Sequence, residues 1–162
     1  MILKQKFPHN SATASLTFLN LIFTFIGFVF YIDLYIVSIL LNYFIIFSFH
    51  SCILFEPNCF IYMREKNGWS FYEFHLGNIL LHWIPFIIQN SYFNHVTLSH
   101  VVYAHAIIMI WSFLEMKKKL FCHDHIYVPL NPKTWYLLHL IGSLSMFSYF
   151  YLYQSKIGNH MR

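Results

Sequence analysis

Long uncharged, apolar segments alternate with short charged ones along the chain. The charged residues that bound three of these segments are Lys6 and Asp33, Asp33 and Glu56, and Lys133 and Lys156, which enclose 26, 22 and 22 uncharged residues. A helix of about 20 residues crosses a hydrocarbon core of about 30 Å, so each segment is long enough to span a bilayer. A further uncharged run from Phe74 to Leu114 is 41 residues long and has room for two spans. Turn-forming polar residues in its middle, 90–95, predict a hairpin there.

This pattern predicts an all-α polytopic membrane helix bundle, with about five transmembrane helices in a single membrane domain covering residues 1–162. The approximate limits of the spans are 13–31, 34–55, 77–92, 99–114 and 134–153. Because the first span follows Lys4 and Lys6, it has some features of a signal peptide. Its apolar run is too long and lacks a small-x-small cleavage site, so we expect it to be retained.

The composition supports a membrane environment and argues against several kinds of partner. The chain is 58% hydrophobic and only 10% charged, whereas soluble domains carry about 25% charged residues. Its net charge of +4 is scattered, without the basic stripe that nucleic-acid binding requires. The three cysteines, Cys52, Cys59 and Cys122, have no C-x-x-C spacing and predict neither a disulfide framework nor a thiolate metal site.

The distribution of basic residues predicts the orientation of the chain. Eight basic residues fall on one side of the five-span arrangement: Lys4, Lys6, Arg64, Lys66, Lys117, Lys118, Lys119 and Lys133. Only Lys156 and Arg162 fall on the other side. The positive-inside rule then places the N terminus in the cytosol and the C terminus on the far side of an unspecified membrane.

Two spans carry polar residues at helical spacing. Asn78, His82, Pro85 and Gln89 follow one another at steps of four, three and four residues, which brings them onto one face of a helix. The first span has a similar stripe formed by Thr13, Thr17, Asn20, Thr24 and Gly27. Such a stripe is first of all a packing surface, but packing alone does not require Asn20. A histidine in apolar surroundings likewise calls for a partner or a function.

The predicted topology also places one polar residue of every span at a similar depth near the cytosolic end. These residues are Thr17, His50, His82, Ser112 and His139. One interpretation is a shared polar cavity that opens toward the cytosolic leaflet, and the alternative is simple hydrogen bonding between helices. In the cavity, the Thr17 hydroxyl would be a nucleophile and His82 the base that takes its proton.

Three short segments resemble a known family. They are 16–21 (LTFLNL), 81–87 (LHWIPFI) and 127–132 (YVPLNP), which occur in the same order in the androgen-induced and androgen-dependent transmembrane hydrolases. That family consists of multi-pass membrane enzymes that cleave fatty acid esters of hydroxy fatty acids with a threonine and a histidine. The resemblance therefore implies that Thr17 is the nucleophile and that His82 is its catalytic partner.

This interpretation predicts ester hydrolysis in two stages through an acyl-threonine, without a cofactor or a metal. Candidate oxyanion donors and supporting residues are Asn20, Asn78, Trp111, His139 and, in the same layer, His50. The expected partners are membrane lipids, including a lipid ester that enters from the bilayer, and the oligomeric state stays open. Two alternatives compete: a histidine-ligated metal or haem protein using His50, His82 and His139, and a non-catalytic structural or assembly subunit of a membrane complex.

Overall fold

The computed structural model describes residues 12–66, 68–91, 95–121 and 132–160, and all the regular structure in these ranges is helical. The helices are α1 (Ala12–Val29), α2 (Ile32–Phe55), α3 (Pro57–Lys66), α4 (Phe71–Asn78), a π-helical turn (Ile79–Trp83), α5 (Ile84–Ser91), α6 (Leu98–Phe121) and α7 (Pro132–His160). The all-α prediction is confirmed for this part of the chain. Much of the predicted 90–95 hairpin lies outside the described residues, as does segment 127–131.

The region around the third predicted span differs from the sequence-based boundaries. Helix α4 begins at Phe71, well before the predicted start at Gly77, and continues through the π-helical turn into α5 without a break. Its start is fixed by a capping box, in which the Ser70 hydroxyl accepts from the Glu73 backbone N–H and the Glu73 carboxylate accepts from the Ser70 N–H. These two bonds satisfy donors that a helix start otherwise leaves open. Helix α3, which is not among the predicted spans, precedes this cap.

Helix α2 is the centre of the bundle. It packs against α1 and α7 most extensively and also contacts α5 and α6. Leu40 and Leu41 near its middle are fully buried. The close approach of α1 to α2 depends on Gly27, because a Cβ atom at this position would lie 2.3 Å from the backbone nitrogen of Tyr35.

The outside of the bundle is apolar. Large side chains stand exposed on α1, α5, α6 and α7, among them Phe25, Ile87, Met109 and Tyr151. Among the described helices, α2 alone is long and apolar enough to cross a membrane, a criterion based on length and composition that the buried core helix of a soluble protein also meets. Shorter apolar stretches occur at Leu16–Val29 in α1 and Leu98–Leu114 in α6.

Candidate functional site

A chain of buried amide side chains joins three helices in the bundle interior. Asn20 Nδ2 in α1 donates to Asn42 Oδ1 in α2 at 2.8 Å, and Asn42 Nδ2 donates in turn to Gln89 Oε1 in α5. Gln89 Nε2 then donates to the hydroxyls of Thr24 at 2.5 Å and Ser38 at 3.1 Å. We call Asn20, Asn42, Gln89, Thr24 and Ser38 the amide network.

Each side chain of the amide network that accepts a hydrogen bond donates the next one, from Asn20 through Asn42 and Gln89 to the two hydroxyls. The Thr24 and Ser38 hydroxyls, which accept from Gln89, donate to the backbone carbonyls of Asn20 and Tyr35 at 2.8 and 2.7 Å. Asn20, Asn42 and Gln89 are at most 2% exposed. Asn20 Oδ1 is buried and has no hydrogen-bond partner among the described residues. The network therefore begins at Asn20 and ends on helix carbonyls, which satisfies nearly all of its polar atoms.

The network also gives the relative direction of the helices. Asn20 bonds Asn42 and, farther along α1, Thr24 shares Gln89 with Ser38, so α1 runs antiparallel to α2. The segment from α4 to α5 is antiparallel to α2 as well, because Gln89 meets Asn42 whereas the ring of His82 stacks on Phe49. Helices α1 and α5 consequently run in the same direction.

The π-helical turn holds His82. The Ile84 backbone N–H donates to the carbonyl of Ile79, five residues earlier, which widens the helix at this point. The His82 side chain is 5% exposed, and its ring lies 5.2 Å from the ring of Phe49. Its Nδ1 atom is buried and has no hydrogen-bond partner among the described residues. A π-helical turn is uncommon and often occurs at functional sites.

Asn78 has a second unmatched polar atom on the same segment. Its Nδ2 group is buried and also lacks a hydrogen-bond partner within the described ranges. Asn78 precedes His82 by four residues, so the two side chains lie on successive helical turns. A buried amide donor and a buried imidazole nitrogen, four residues apart, thus both lack a hydrogen-bond partner among the described residues. Buried polar groups are normally hydrogen-bonded, so this arrangement requires an explanation.

No family model, curated protein or solved structure matches the chain.

Thr17 lies inside the bundle with 5% of its surface exposed. It precedes Thr24 by seven residues, and His82 precedes Gln89 by seven residues. Seven residues of regular α-helix correspond to about 10 Å, but the π-helical turn at Ile79–Trp83 alters the register between His82 and Gln89. The hydrogen bond from Gln89 to Thr24 therefore does not by itself place the Thr17 hydroxyl against the His82 ring. His82 Nδ1 does not form a hydrogen bond with Thr17.

The other histidines of the predicted layer form separate contacts. His50 Nδ1 donates to the carbonyl of Ile46 at 2.8 Å, and His50 Nε2 accepts from the indole N–H of Trp83 at 3.2 Å. The Ser112 hydroxyl lies 3.1 Å from His139 Nε2. Both ring nitrogens of His50 are therefore occupied, which is unfavourable for the metal and haem interpretations.

The described residues contain no group of three or more histidine, cysteine, aspartate or glutamate side chains that could hold a metal ion. The three-histidine arrangement suggested by His50, His82 and His139 is therefore wrong for these residues. The physical reason is that the ring nitrogens of His50 bond Ile46 and Trp83 while His139 Nε2 lies against Ser112, so the three imidazoles do not share a ligand position.

The proposed oxyanion donors also differ in availability. The Asn20 amide nitrogen already donates to Asn42, and His139 Nε2 is engaged with Ser112. Trp111 packs against Trp135, with the ring centroids 5.9 Å apart. Asn78 retains a buried amide group without a partner in the described part of the chain, which makes it the best placed of these candidates.

Three polar residues at the starts of α2 and α6, at the other end of α2 from His50, form a cluster that the sequence analysis does not predict. The Thr97 backbone N–H donates to His100 Nδ1 at 3.0 Å, which leaves His100 Nε2 to donate to Asp33 Oδ1 at 3.1 Å. These bonds connect the starts of α2 and α6. The available sequence signal was Thr97 followed three residues later by a hydrogen-bond acceptor, a variant of the capping box.

Proposed function

We propose that the protein is a multi-pass membrane enzyme that hydrolyses fatty acyl esters, with Thr17 as nucleophile and His82 as base. The observation that carries the proposal is the pair of unmatched buried atoms, His82 Nδ1 and Asn78 Nδ2, on successive turns around the π-helical segment. A bound ester would offer a carbonyl oxygen to Asn78, while a nearby hydroxyl would give its proton to the imidazole.

The membrane part of the proposal is supported by where polar and apolar side chains lie. Deeply buried polar residues, among them Asn20, Asn42 and Gln89, point into the bundle, whereas large apolar side chains cover its outside. Large exposed apolar patches mark surfaces that contact a membrane or another protein, and a lipid environment would suit these side chains. We therefore infer five spans: α1, α2, the continuous α4 to α5 segment, α6 and α7. The cytosolic N terminus follows from the basic residues.

The polar stripes argue against one form of the structural-subunit alternative, in which they bind neighbouring proteins. In a subunit that binds its neighbours through polar stripes, these groups would be expected on the outer surface. Instead, Asn20, Thr24 and Gln89 bond within the chain.

In the proposed reaction, His82 removes the proton from the Thr17 hydroxyl as its oxygen attacks the ester carbonyl carbon. The Asn78 amide stabilises the oxyanion. The alkoxy bond then breaks, the proton passes to the departing alcohol, and water releases the fatty acid from the acyl-threonine. A substrate of the type suggested by the family resemblance is a fatty acid ester of a hydroxy fatty acid.

The test uses the full chain in liposomes, with release of fatty acid from such an ester as the readout. We expect Thr17→Ala and His82→Gln to lower the rate at least 100-fold, and Thr17→Ser to retain measurable turnover. His75→Gln is the matched control, since His75 is an exposed histidine two turns before His82. Far-UV circular dichroism checks folding. Equal rates for the wild type and a correctly folded Thr17→Ala variant would refute the proposal.

A further inference from the structure

We propose that Ser112 and His139 form a second nucleophile and base pair, separate from Thr17 and His82, that acts on fatty acyl esters presented by the bilayer. The Ser112 hydroxyl and His139 Nε2 are 3.1 Å apart, within hydrogen-bonding distance. They belong to different helices, α6 and α7. An activated serine requires this contact with a neighbouring base.

The surroundings hold the imidazole in place. The His139 ring lies 4.9 Å from the ring of Trp135 and 5.3 Å from that of Phe44, with tilted planes in both cases. Next to it on α7, the Leu138 carbonyl accepts a hydrogen bond from Ser48 of α2 at 3.0 Å. Ser112 itself is 5% exposed. The base is therefore fixed from two helices, as positioning of a reactive pair requires.

Exposed side chains lie one helical turn from each member of the pair. Met109 and Tyr136 precede Ser112 and His139 by three residues, so each lies on the adjacent turn of the same helix. Both are largely exposed, at 66% and 71%. His139 itself is half-buried, so the imidazole is not sealed inside the core.

If the bundle lies in a bilayer as in the proposed function, on which this step rests, the depth of the pair fits an ester rather than a hydrocarbon chain. His139 follows Pro132, the first residue of α7, by seven residues, or about 10 Å along the helix. The start of α7 carries the exposed Lys133, and Thr134 there donates to the Glu56 carboxylate. Polar and charged groups mark this end of the bundle, and the acyl ester bonds of lipids lie just inside the headgroups.

The chemical step needs no group beyond the pair and water. The Ser112 oxygen attacks the ester carbonyl carbon while its proton moves to His139 Nε2. The bond to the alcohol breaks, His139 returns the proton to that alcohol, and an acyl-serine remains. Water then attacks this ester, again losing its proton to His139, and the fatty acid and free Ser112 are formed.

A fluorophosphonate probe carrying a long alkyl chain tests the pair, with the full chain in detergent micelles and the modified residue located by peptide mass spectrometry. We expect an adduct at Ser112 in the wild type, none there in Ser112→Ala, and at least tenfold slower labelling in His139→Gln. Ser145→Ala is the matched control, because Ser145 is a buried serine whose hydroxyl donates to the Gly142 carbonyl at 2.6 Å rather than to a histidine.

The position of the adduct distinguishes this proposal from the preceding one. Labelling of Ser112 that persists in Thr17→Ala supports the second pair whether or not Thr17 reacts. A wild-type protein labelled only at Thr17 overturns it and leaves the proposed function intact. Labelling at Ser112 that is undiminished in His139→Gln also overturns it, since the contact would then serve only to join α6 and α7. If Ser112→Ala does not fold, the position of the adduct in the wild type alone decides between the two proposals.

Discussion

The amide network makes a quantitative prediction about stability, for which Asn42→Ala is the central perturbation. Asn42 accepts from Asn20 and donates to Gln89, and all three side chains are at most 2% exposed. An interhelical hydrogen bond in a membrane protein contributes about 0.6 kcal/mol on average and up to about 1.7 kcal/mol. Loss of two such bonds should lower the free energy of unfolding by about 1–3 kcal/mol, before any contribution from the cavity.

A double-mutant cycle separates the hydrogen bond from the cavity. Asn20→Ala removes the donor to Asn42, so Asn42→Ala should cost about 0.6–1.7 kcal/mol less in that background than in the wild type. Unfolding by sodium dodecyl sulfate in mixed micelles, followed by far-UV circular dichroism, measures all four proteins. Asn42→Ala combined with Ser70→Ala is the control pair, because Ser70 caps the start of α4, 19 residues before Gln89, and the two effects should be additive within about 0.3–0.5 kcal/mol. Additivity of Asn20→Ala and Asn42→Ala to the same degree would refute the bond between them.

Two further predictions concern helix packing and helix initiation. Gly27→Ala should lower the free energy of unfolding by about 1–3 kcal/mol, because the added methyl group meets the Tyr35 backbone. Gly77→Ala, which has no neighbouring atom within 4 Å of the added carbon, should raise it by up to about 1 kcal/mol. The same unfolding assay compares the two, and equal effects would contradict the close approach. Ser70→Ala should cost about 1 kcal/mol by removing the capping box, with faster amide hydrogen exchange in the first turn of α4. Unchanged exchange there would show that the cap is not required.

Apolar periodicity and charge spacing were sufficient to predict the helical class and the approximate position of the main helices. The stripe on α1 shows why this works, since residues at steps of three and four necessarily share a face. Asn20 therefore proved to be buried, as the stripe indicates. Helix ends were less predictable. The start of α4 depends on reciprocal bonds between Ser70 and Glu73, and their formation is decided by local backbone geometry.

The partners of polar residues could not be predicted from depth alone. Gln89 was identified as a polar position on the third span, but its contacts with Asn42 and Ser38 require the rotation of α5 relative to α2. The π-helical turn at Ile79–Trp83 adds to that rotation and has no simple sequence signature. His50 lies near the predicted layer, yet its ring nitrogens bond Ile46 and Trp83.

The short connection between α1 and α2 has a consequence for biosynthesis. Only Phe30 and Tyr31 separate the two helices, so both emerge from the ribosome in succession and can pair while later segments are still being made. Asn20 and Asn42 would then find each other first, and Gln89, which is translated 47 residues after Asn42, would join an existing hairpin. The order of translation thus matches the order in which the interior contacts can close.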